Sequence, residues 1–111
     1  MNFDAVKKAI EAMMGGDSAP FMALCSKDIY WESIHKSSVG GKVKNHAEVE
    51  LMLGGLKWAH DPQVTCLIDT AEVIAFTHLH ESDPTTTYLC NAHIQNGKIA
   101  KYFYAKVVNA N

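Results

Sequence analysis

The stretch that decides the fold is Thr87-Tyr88-Leu89-Cys90-Asn91-Ala92-His93-Ile94, followed after Asn96-Gly97 by Lys98-Ile99-Ala100-Lys101-Tyr102-Phe103-Tyr104-Ala105-Lys106-Val107. β-Branched and aromatic residues, which favour extended backbone, dominate both runs. Asn-Gly supplies the positive φ angles that a two-residue hairpin turn requires. The sequence therefore predicts two long antiparallel strands joined by a tight turn.

Alternation along this hairpin places four hydrogen-bonding side chains on two strand faces. Side chains two residues apart on a strand point to the same side of a sheet. Asn91 and His93 therefore share one face of the first strand, and Tyr102 and Tyr104 share one face of the second. If both pairs face the same way, the four groups converge.

Length and composition indicate one globular domain spanning residues 1–111. The chain is 48% hydrophobic and 20% charged, with a formal net charge of -2, and it is too short for two domains. Such a charge attracts neither nucleic acid nor an anionic membrane. All ten basic residues are Lys, so the planar guanidinium fork that binds phosphate is absent.

The N-terminus lacks the continuous apolar core of a signal peptide, and no apolar run approaches the roughly 20 residues of a membrane span. We therefore expect a cytoplasmic protein.

The spacing of the cysteines matches neither a disulfide scaffold nor a zinc site. Cys25, Cys66 and Cys90 are odd in number and isolated from one another. A disulfide scaffold favours an even count, and a zinc site favours CxxC spacing. We therefore predict three reduced thiols that are mostly buried.

The remainder of the chain predicts three helices and three more strands. Gly15-Gly16 ends the first helix, and Pro20 stands in the first turn of the second, where its missing N–H costs nothing. This order gives an α+β layout with helices on one face of a curved sheet. The predicted elements before the hairpin, with a surface loop over residues 35–45, are a helix to Met14, a helix from Ser18 to Cys25, a strand from Asp28 to Ile34, a helix from Asn45 to Leu56, and strands over Val64 to Thr70 and Glu72 to Glu81.

With that order, the chain resembles the SnoaL-like and ketosteroid-isomerase-like branch of the nuclear transport factor 2-like superfamily. The likeness is carried by Ala23-Leu24-Cys25-Ser26-Lys27-Asp28-Ile29-Tyr30-Trp31-Glu32, by Gly40-Gly41 before the third helix, by Ala75-Phe76-Thr77, and by Asn96-Gly97-Lys98-Ile99. It implies a cystatin-like cone, in which a curved, mostly antiparallel sheet wraps around N-terminal helices and encloses an internal pocket. It also implies a homodimer formed through the sheet. A dimer agrees with the apolar residues left on the far side of the sheet, namely Ala75, Leu79, Cys90, Ala92 and Phe103.

The resemblance also implies where catalytic carboxylates would stand, and this chain lacks them. In the isomerases it resembles, the general base lies near the end of the first strand, where this chain has Ser33. Their oxyanion-binding acid lies on the penultimate strand, where this chain has Asn91. SnoaL-like cyclases place an acid late in the last strand, yet no Asp or Glu occurs from Pro84 to Asn111.

Ten side chains are pointed towards the pocket by the resemblance. Period-two alternation makes each strand's set self-consistent, but it does not select the face that lies inside. The ten are Trp31, Ser33, Phe76, His78, His80, Leu89, Asn91, His93, Tyr102 and Tyr104.

His78, His80 and His93 would place three imidazoles on neighbouring strands, and three interpretations stay open. Imidazole titrates near pH ~6.5, so it can abstract a proton next to a carbonyl at neutral pH, while Asn91 and the phenols of the last strand hold the oxyanion. A zinc site is the second interpretation, because HxH on a strand puts both rings on one face, although no carboxylate is near to orient them. In the third, His78 is a hydrogen-bonded wall residue and His80 a solvent-exposed strand end.

The sequence therefore predicts a small-molecule-binding protein with an internal pocket. The predicted activity is that of an isomerase, cyclase or hydrolase acting on an apolar carbonyl- or hydroxyl-bearing compound by His acid/base catalysis. The alternative is a non-catalytic ligand carrier or dimerisation module, and neither a metal nor a cofactor is expected. The catalytic candidates are His78, His93, Asn91 and Tyr102, and the ligand-binding candidates are Trp31, Ser33, Phe76, His80, Leu89 and Tyr104.

Overall fold

A computed structural model describes residues 1–34, 41–54, 62–81 and 83–108 of the chain. Helices come first and a long run of strands follows, as the sequence predicts. The described elements are α1 (Phe3–Met14), α2 (Ala19–Leu24), β1 (Cys25–Ser33), β2 (Lys42–Lys44), α3 (His46–Gly54), β3 (Pro62–Asp69), β4 (Val73–His80), β5 (Asp83–Gln95) and β6 (Lys98–Val108).

The strands form one sheet in the order β2-β1-β6-β5-β4-β3. Neighbours are antiparallel except β1 and β6, which are parallel. At the β5–β6 turn, Asn96 and Gly97 have φ angles of 52° and 73°, which confirms the predicted hairpin. Register shifts occur in several of the pairs, and such bulges bend a sheet. The predicted α+β fold with a curved sheet is therefore confirmed.

Two details differ from the prediction. β2 was predicted as part of a loop, but Val43 lies opposite Trp31 and adds a short strand to β1. A run of three residues is too short to show a period of two, so its alternation could not be recognised. β1 also begins at Cys25 rather than Asp28. The rest of the predicted loop, residues 35–40, lies outside the described residues.

α1 forms because its apolar residues recur at helical spacing and its first turn is capped. The Asn2 side chain accepts a hydrogen bond from the Ala5 N–H at 3.0 Å, and Gly16, at φ 100°, lies just past the last turn. Its apolar stripe packs on the sheet, and the buried residues of the stripe are Val6, Ala9, Ile10, Met13 and Met14. None of the described helices is both long and apolar enough to cross a lipid bilayer.

Aromatic rings join the helices to the concave face of the sheet. The Trp31 and Tyr102 rings stack with centroids 4.4 Å apart, and Phe21 of α2 meets both rings edge-on, at 6.0 and 5.4 Å. Phe3 of α1 lies 6.4 Å from Phe76. We call this part of the concave face the floor, and its sheet residues are Trp31, Ile74, Phe76, Cys90, Ala92 and Tyr102, all nearly or fully buried.

Candidate functional site

A cluster of polar and aromatic side chains continues the concave face beyond the floor. Residues directly opposite each other on adjacent strands share a face. His78 lies opposite Tyr88, and Tyr104 lies opposite both Cys90 and Ser33. Since Cys90 belongs to the floor, these side chains extend the same face. We call this region the polar end, formed by Ser33, His78, His80, Tyr88 and Tyr104.

The centre of the polar end is a pair of imidazoles. His78 and His80 are two residues apart on β4, so alternation puts both on the concave face. Nδ1 of His78 lies 3.2 Å from Nε2 of His80, and the rings meet edge-on, with centroids 5.1 Å apart. The two side chains are only 4% and 7% exposed. Between two neutral imidazoles, one nitrogen carries the proton and donates a hydrogen bond to the lone pair of the other.

Tyr88 and Tyr104 connect the imidazole pair to the floor. The Tyr88 ring stacks on His78 with centroids 4.8 Å apart and meets His80 edge-on at 5.7 Å. Tyr104 lies 6.2 Å from Tyr88 and 5.6 Å from Trp31. Both tyrosines are half-buried, so a continuous aromatic wall leads from the core to the polar end and retains contact with solvent.

The electrostatics of this region favour uncharged groups. Burial, and secondarily the neighbouring His80, lower the pKa of His78 from 6.5 to about 4. The pKa of Tyr88 is raised, chiefly by burial and then by Tyr104 and Asp83. At neutral pH the polar end therefore presents a neutral imidazole, which can accept a proton on one nitrogen and donate a hydrogen bond from the other, beside a protonated phenol, which can donate a hydrogen bond.

Tyr102, a predicted catalytic residue, belongs to the floor. Burial raises the pKa of its hydroxyl well above 10.0, and the Cys90 thiol, to which this hydroxyl donates a hydrogen bond, adds to the shift. Its ring is stacked on Trp31 and is 2% exposed. The structure places Tyr102 under the helices rather than among the histidines.

The predicted convergence of Asn91 and His93 with the tyrosines is wrong. Tyr102 pairs with Ala92, whereas Asn91 pairs with Phe103 and His93 with Lys101. Asn91 and His93 therefore lie on the outer face of the sheet. The His93 side chain is exposed, and its ring is 5.3 Å from Phe103.

Leu89, a predicted ligand-binding residue, also lies on the outer face, where it is 37% exposed. Alternation fixed the members of each set on β5 but not the face that the helices cover. The floor takes the even-numbered residues of this strand because Cys90 and Ala92, both 0% exposed, are smaller and less polar than Asn91 and His93. Two of the five residues on which the predicted dimer face rested therefore point inwards.

The remaining predicted side chains lie on the concave face. Trp31 and Phe76 belong to the floor, and Ser33, His80 and Tyr104 join His78 at the polar end. Tyr88 was missed because Cys90 and Ala92, which share its strand face, were assigned from the sequence to the outside of the sheet.

The three-imidazole arrangement that would suit zinc is not formed, because His93 stands on the opposite face from His78 and His80. Within residues 1–34, 41–54, 62–81 and 83–108, no group of three or more His, Cys, Asp or Glu side chains is arranged to hold a metal ion.

Comparison with known proteins identifies the fold. No protein-family model matches the sequence, and no curated protein matches it. A putative ketosteroid isomerase from Kribbella flavida superposes with a TM-score of 0.74 and 13% identity, over 97% of this chain and 78% of that one. A SnoaL-like protein of unknown function from Burkholderia thailandensis superposes with a TM-score of 0.69 and 11% identity, over 91% and 89%.

A third solved structure, a protein of unknown function with a cystatin-like fold from Xanthomonas campestris, superposes with a TM-score of 0.71 and 20% identity, over 96% of this chain and 92% of that one. The chain therefore has the cystatin-like cone that ketosteroid-isomerase-like and SnoaL-like proteins share, and the resemblance predicted from the sequence is confirmed for the fold. At such identities a shared fold does not carry an activity with it.

Proposed function

We propose that this cone-shaped protein binds a small apolar or amphipathic molecule at the polar end and moves a proton on it. The ligand class is a carbonyl- or hydroxyl-bearing compound, and the reaction is an isomerisation, cyclisation or hydrolysis assisted by an imidazole. The observation that carries the proposal is the buried, hydrogen-bonded pair of His78 and His80. Burying two ionisable rings costs stability, and such groups cluster at functional sites.

The hydrogen bond between the two imidazoles supports a different task for each ring. Nδ1 of His78 is engaged with His80, so Nε2 of His78 is the nitrogen that would meet a ligand. When the His78 Nδ1–H donates to His80, Nε2 of His78 carries a lone pair and acts as the base. His80 then accepts a hydrogen bond from the protonated ring and stabilises it, which makes His80 a positioning residue.

The lowered pKa of His78 is consistent with this imidazole taking the role of the catalytic carboxylates that the chain lacks. A pKa of about 4 for His78 lies close to that of an ordinary Glu side chain, ~4.3. The imidazole would thus accept a proton about as readily as a carboxylate, without bringing a negative charge into the site. The phenols of Tyr88 and Tyr104 and the hydroxyl of Ser33 would donate hydrogen bonds to the oxygen on which charge develops.

The second candidate is a non-catalytic ligand carrier. The observation that favours it is the mutual hydrogen bond of the imidazoles, since each ring already satisfies one nitrogen of the other. A carrier needs no free base and would bind the same apolar molecules through the aromatic wall.

Solvent deuterium exchange separates the two candidates. Wild-type protein is incubated in D₂O with a panel of apolar cyclic ketones, and exchange at the carbon next to the carbonyl is followed by NMR. We expect accelerated exchange that falls about 10²- to 10⁴-fold in His78→Gln, the usual contribution of a general base. Lys101→Gln, on the outer face, is the matched control and keeps the wild-type rate. Ketones that bind without exchanging would refute catalysis and favour the carrier.

We also propose a homodimer formed through the outer face of the sheet, in the cytoplasm. Leu89, 37% exposed, lies there opposite Thr77 and Ala105. The register puts Ala75, Leu79 and Phe103 on the same face. Burial of such a patch stabilises association. Sedimentation velocity should show a dimer for the wild type and a monomer for Leu89→Lys, and a monomeric wild type would refute the dimer.

A further inference from the structure

We infer that the ligand of the polar end carries an anionic group, a carboxylate being the simplest, and that Lys106 binds it. This inference rests on the proposed function, because it specifies the ligand of the same site. The composition is acidic overall and does not distinguish Lys106 from the other lysines, whereas the strand register does.

The register puts Lys106 on the concave face. Lys106 lies directly opposite Tyr88 across the β5–β6 pair, and Tyr88 lies directly opposite His78 across the β4–β5 pair. Opposite residues share a face, so the three side chains form one row across three neighbouring strands. Lys101, on the same strand, lies opposite His93 and belongs to the outer face.

The spacing of this row suits a small amphipathic acid. Neighbouring strands are ~4.8 Å apart, so the backbones of Lys106 and His78 are separated by roughly 10 Å. Tyr88 lies between them with its ring stacked on His78, and it offers a flat apolar surface. A ligand can therefore place its anion at Lys106, its apolar body over Tyr88, and the carbon that loses a proton at His78.

The charge of the region depends on Lys106. The imidazole of His78 is neutral and the Tyr88 phenol is protonated, because burial shifts both pKa values in the directions that favour those forms. A neutral imidazole neither attracts nor repels an anion strongly, whereas a flexible ammonium group does attract one. Within the row of Lys106, Tyr88 and His78, the lysine is therefore the group that favours an anionic ligand.

Asp83 is the nearby carboxylate with which a ligand anion would compete for Lys106. Hydrogen bonds from Thr85 and Thr86 are the main causes that lower the pKa of Asp83, and Lys106 contributes least among the causes that lower it. The Thr85 hydroxyl donates to Asp83 at 2.7 Å. Asp83 and Lys106 are both exposed, and ion pairs in water are weak. A ligand held additionally by the aromatic wall can displace such a contact.

Calorimetric titration with matched acid and amide probes tests this inference. Cinnamate, naphthoate and decanoate are each compared with the corresponding amide, on wild type, Lys106→Gln and Lys101→Gln. We expect wild type to bind acids about tenfold more tightly than amides, the worth of one charge-assisted hydrogen bond. Lys106→Gln should abolish that preference, because its acid binding falls to the level of its amide binding. Lys101→Gln should behave as wild type, and added salt should weaken the acids alone.

The outcomes separate this inference from the function on which it rests. If amides bind as tightly as acids, or if Lys106→Gln and Lys101→Gln weaken acid binding equally, the anion inference is overturned while the ligand site stands. If neither acids nor amides bind to wild type, both are overturned. Since both lysines are exposed, near-UV circular dichroism should confirm that the variants fold as wild type does.

Discussion

The floor and the polar end occupy the same face of the same strands, yet they differ in what covers them. The floor meets the rings of Phe3 and Phe21, which α1 and α2 press onto it. At the polar end the aromatic contacts come from the sheet itself, and two tyrosines stay half-buried. The helices thus divide one continuous surface into a part packed in the core and a part at which the tyrosine side chains stay half-buried.

Tyr102 and Tyr104 show the division at the scale of two residues. Both alternate onto the concave face of β6, and both contact Trp31. Tyr102 is 2% exposed and donates to a buried thiol, whereas Tyr104 is half-buried and leads towards the histidines. The two tyrosines differ in burial because Tyr102 contacts Phe21 of α2 and Tyr104 contacts Tyr88 of the sheet.

The largest expected effect is on stability and comes from the floor. Phe21→Ala removes a ring that is 0% exposed and packs on Trp31 and Tyr102, and it should lower the free energy of unfolding by about 3–5 kcal/mol. Urea denaturation followed by Trp fluorescence measures this. Phe103→Ala, which removes a half-buried ring from the outer face, is the control and should cost clearly less. Equal losses would contradict the division between floor and outer face.

A somewhat smaller effect is expected from pH at the polar end. The folded-state pKa of His78 is lowered from 6.5 to about 4, so between these values the unfolded chain binds a proton that the folded chain does not. The contribution of neutral His78 to the free energy of unfolding should therefore be fully present above pH ~6.5. The free energy of unfolding should fall by up to about 3 kcal/mol as the pH drops towards ~4.

Urea midpoints across this pH range, for wild type and His78→Gln, measure the contribution. The variant cannot take up that proton, so its stability should depend less steeply on pH, and the difference between the two curves isolates His78 from the carboxylates. His93→Gln, an exposed site on the outer face, should follow wild type. Parallel curves for wild type and His78→Gln would show that His78 is not buried as a neutral group.

The smallest expected effect is on thiol reactivity and leaves the free energy of unfolding unchanged. Burial raises the pKa of Cys25 and of Cys90 to about 12, while Cys66, on the edge strand β3, is exposed. A thiol reacts through its thiolate. An aromatic disulfide that releases a coloured thiolate should therefore modify only Cys66 in the native protein, and the other two thiols only in urea. Cys66→Ser should remove the native reaction, and a fast reaction in that variant would place another thiol outside the core.

Fold and site were predictable from the sequence to different degrees. The β5–β6 hairpin depends on Asn96-Gly97 and the α1 boundary on Asn2, and each is fixed by the local backbone. The site depended on which face of β5 lies inside, and there Asn91 and His93 were assigned to the wrong side. His78 and His80 were placed on the concave face because β4 was given the right orientation, but their mutual hydrogen bond was not foreseen.

The sequence by itself determined the turn, the first helix with its glycine end, the order of the elements other than β2, and the residues that share each strand face. These features depend on φ and ψ preferences and on side-chain periods, which act within a few residues. Only the tertiary structure decided that β1 runs parallel beside β6, that Cys90 and Ala92 rather than Asn91 and His93 face the helices, and that Lys106 stands in a row with Tyr88 and His78. A strand turned over satisfies the same local preferences, and the choice is made by burying the apolar faces of α1 and α2 against the less polar side of the sheet.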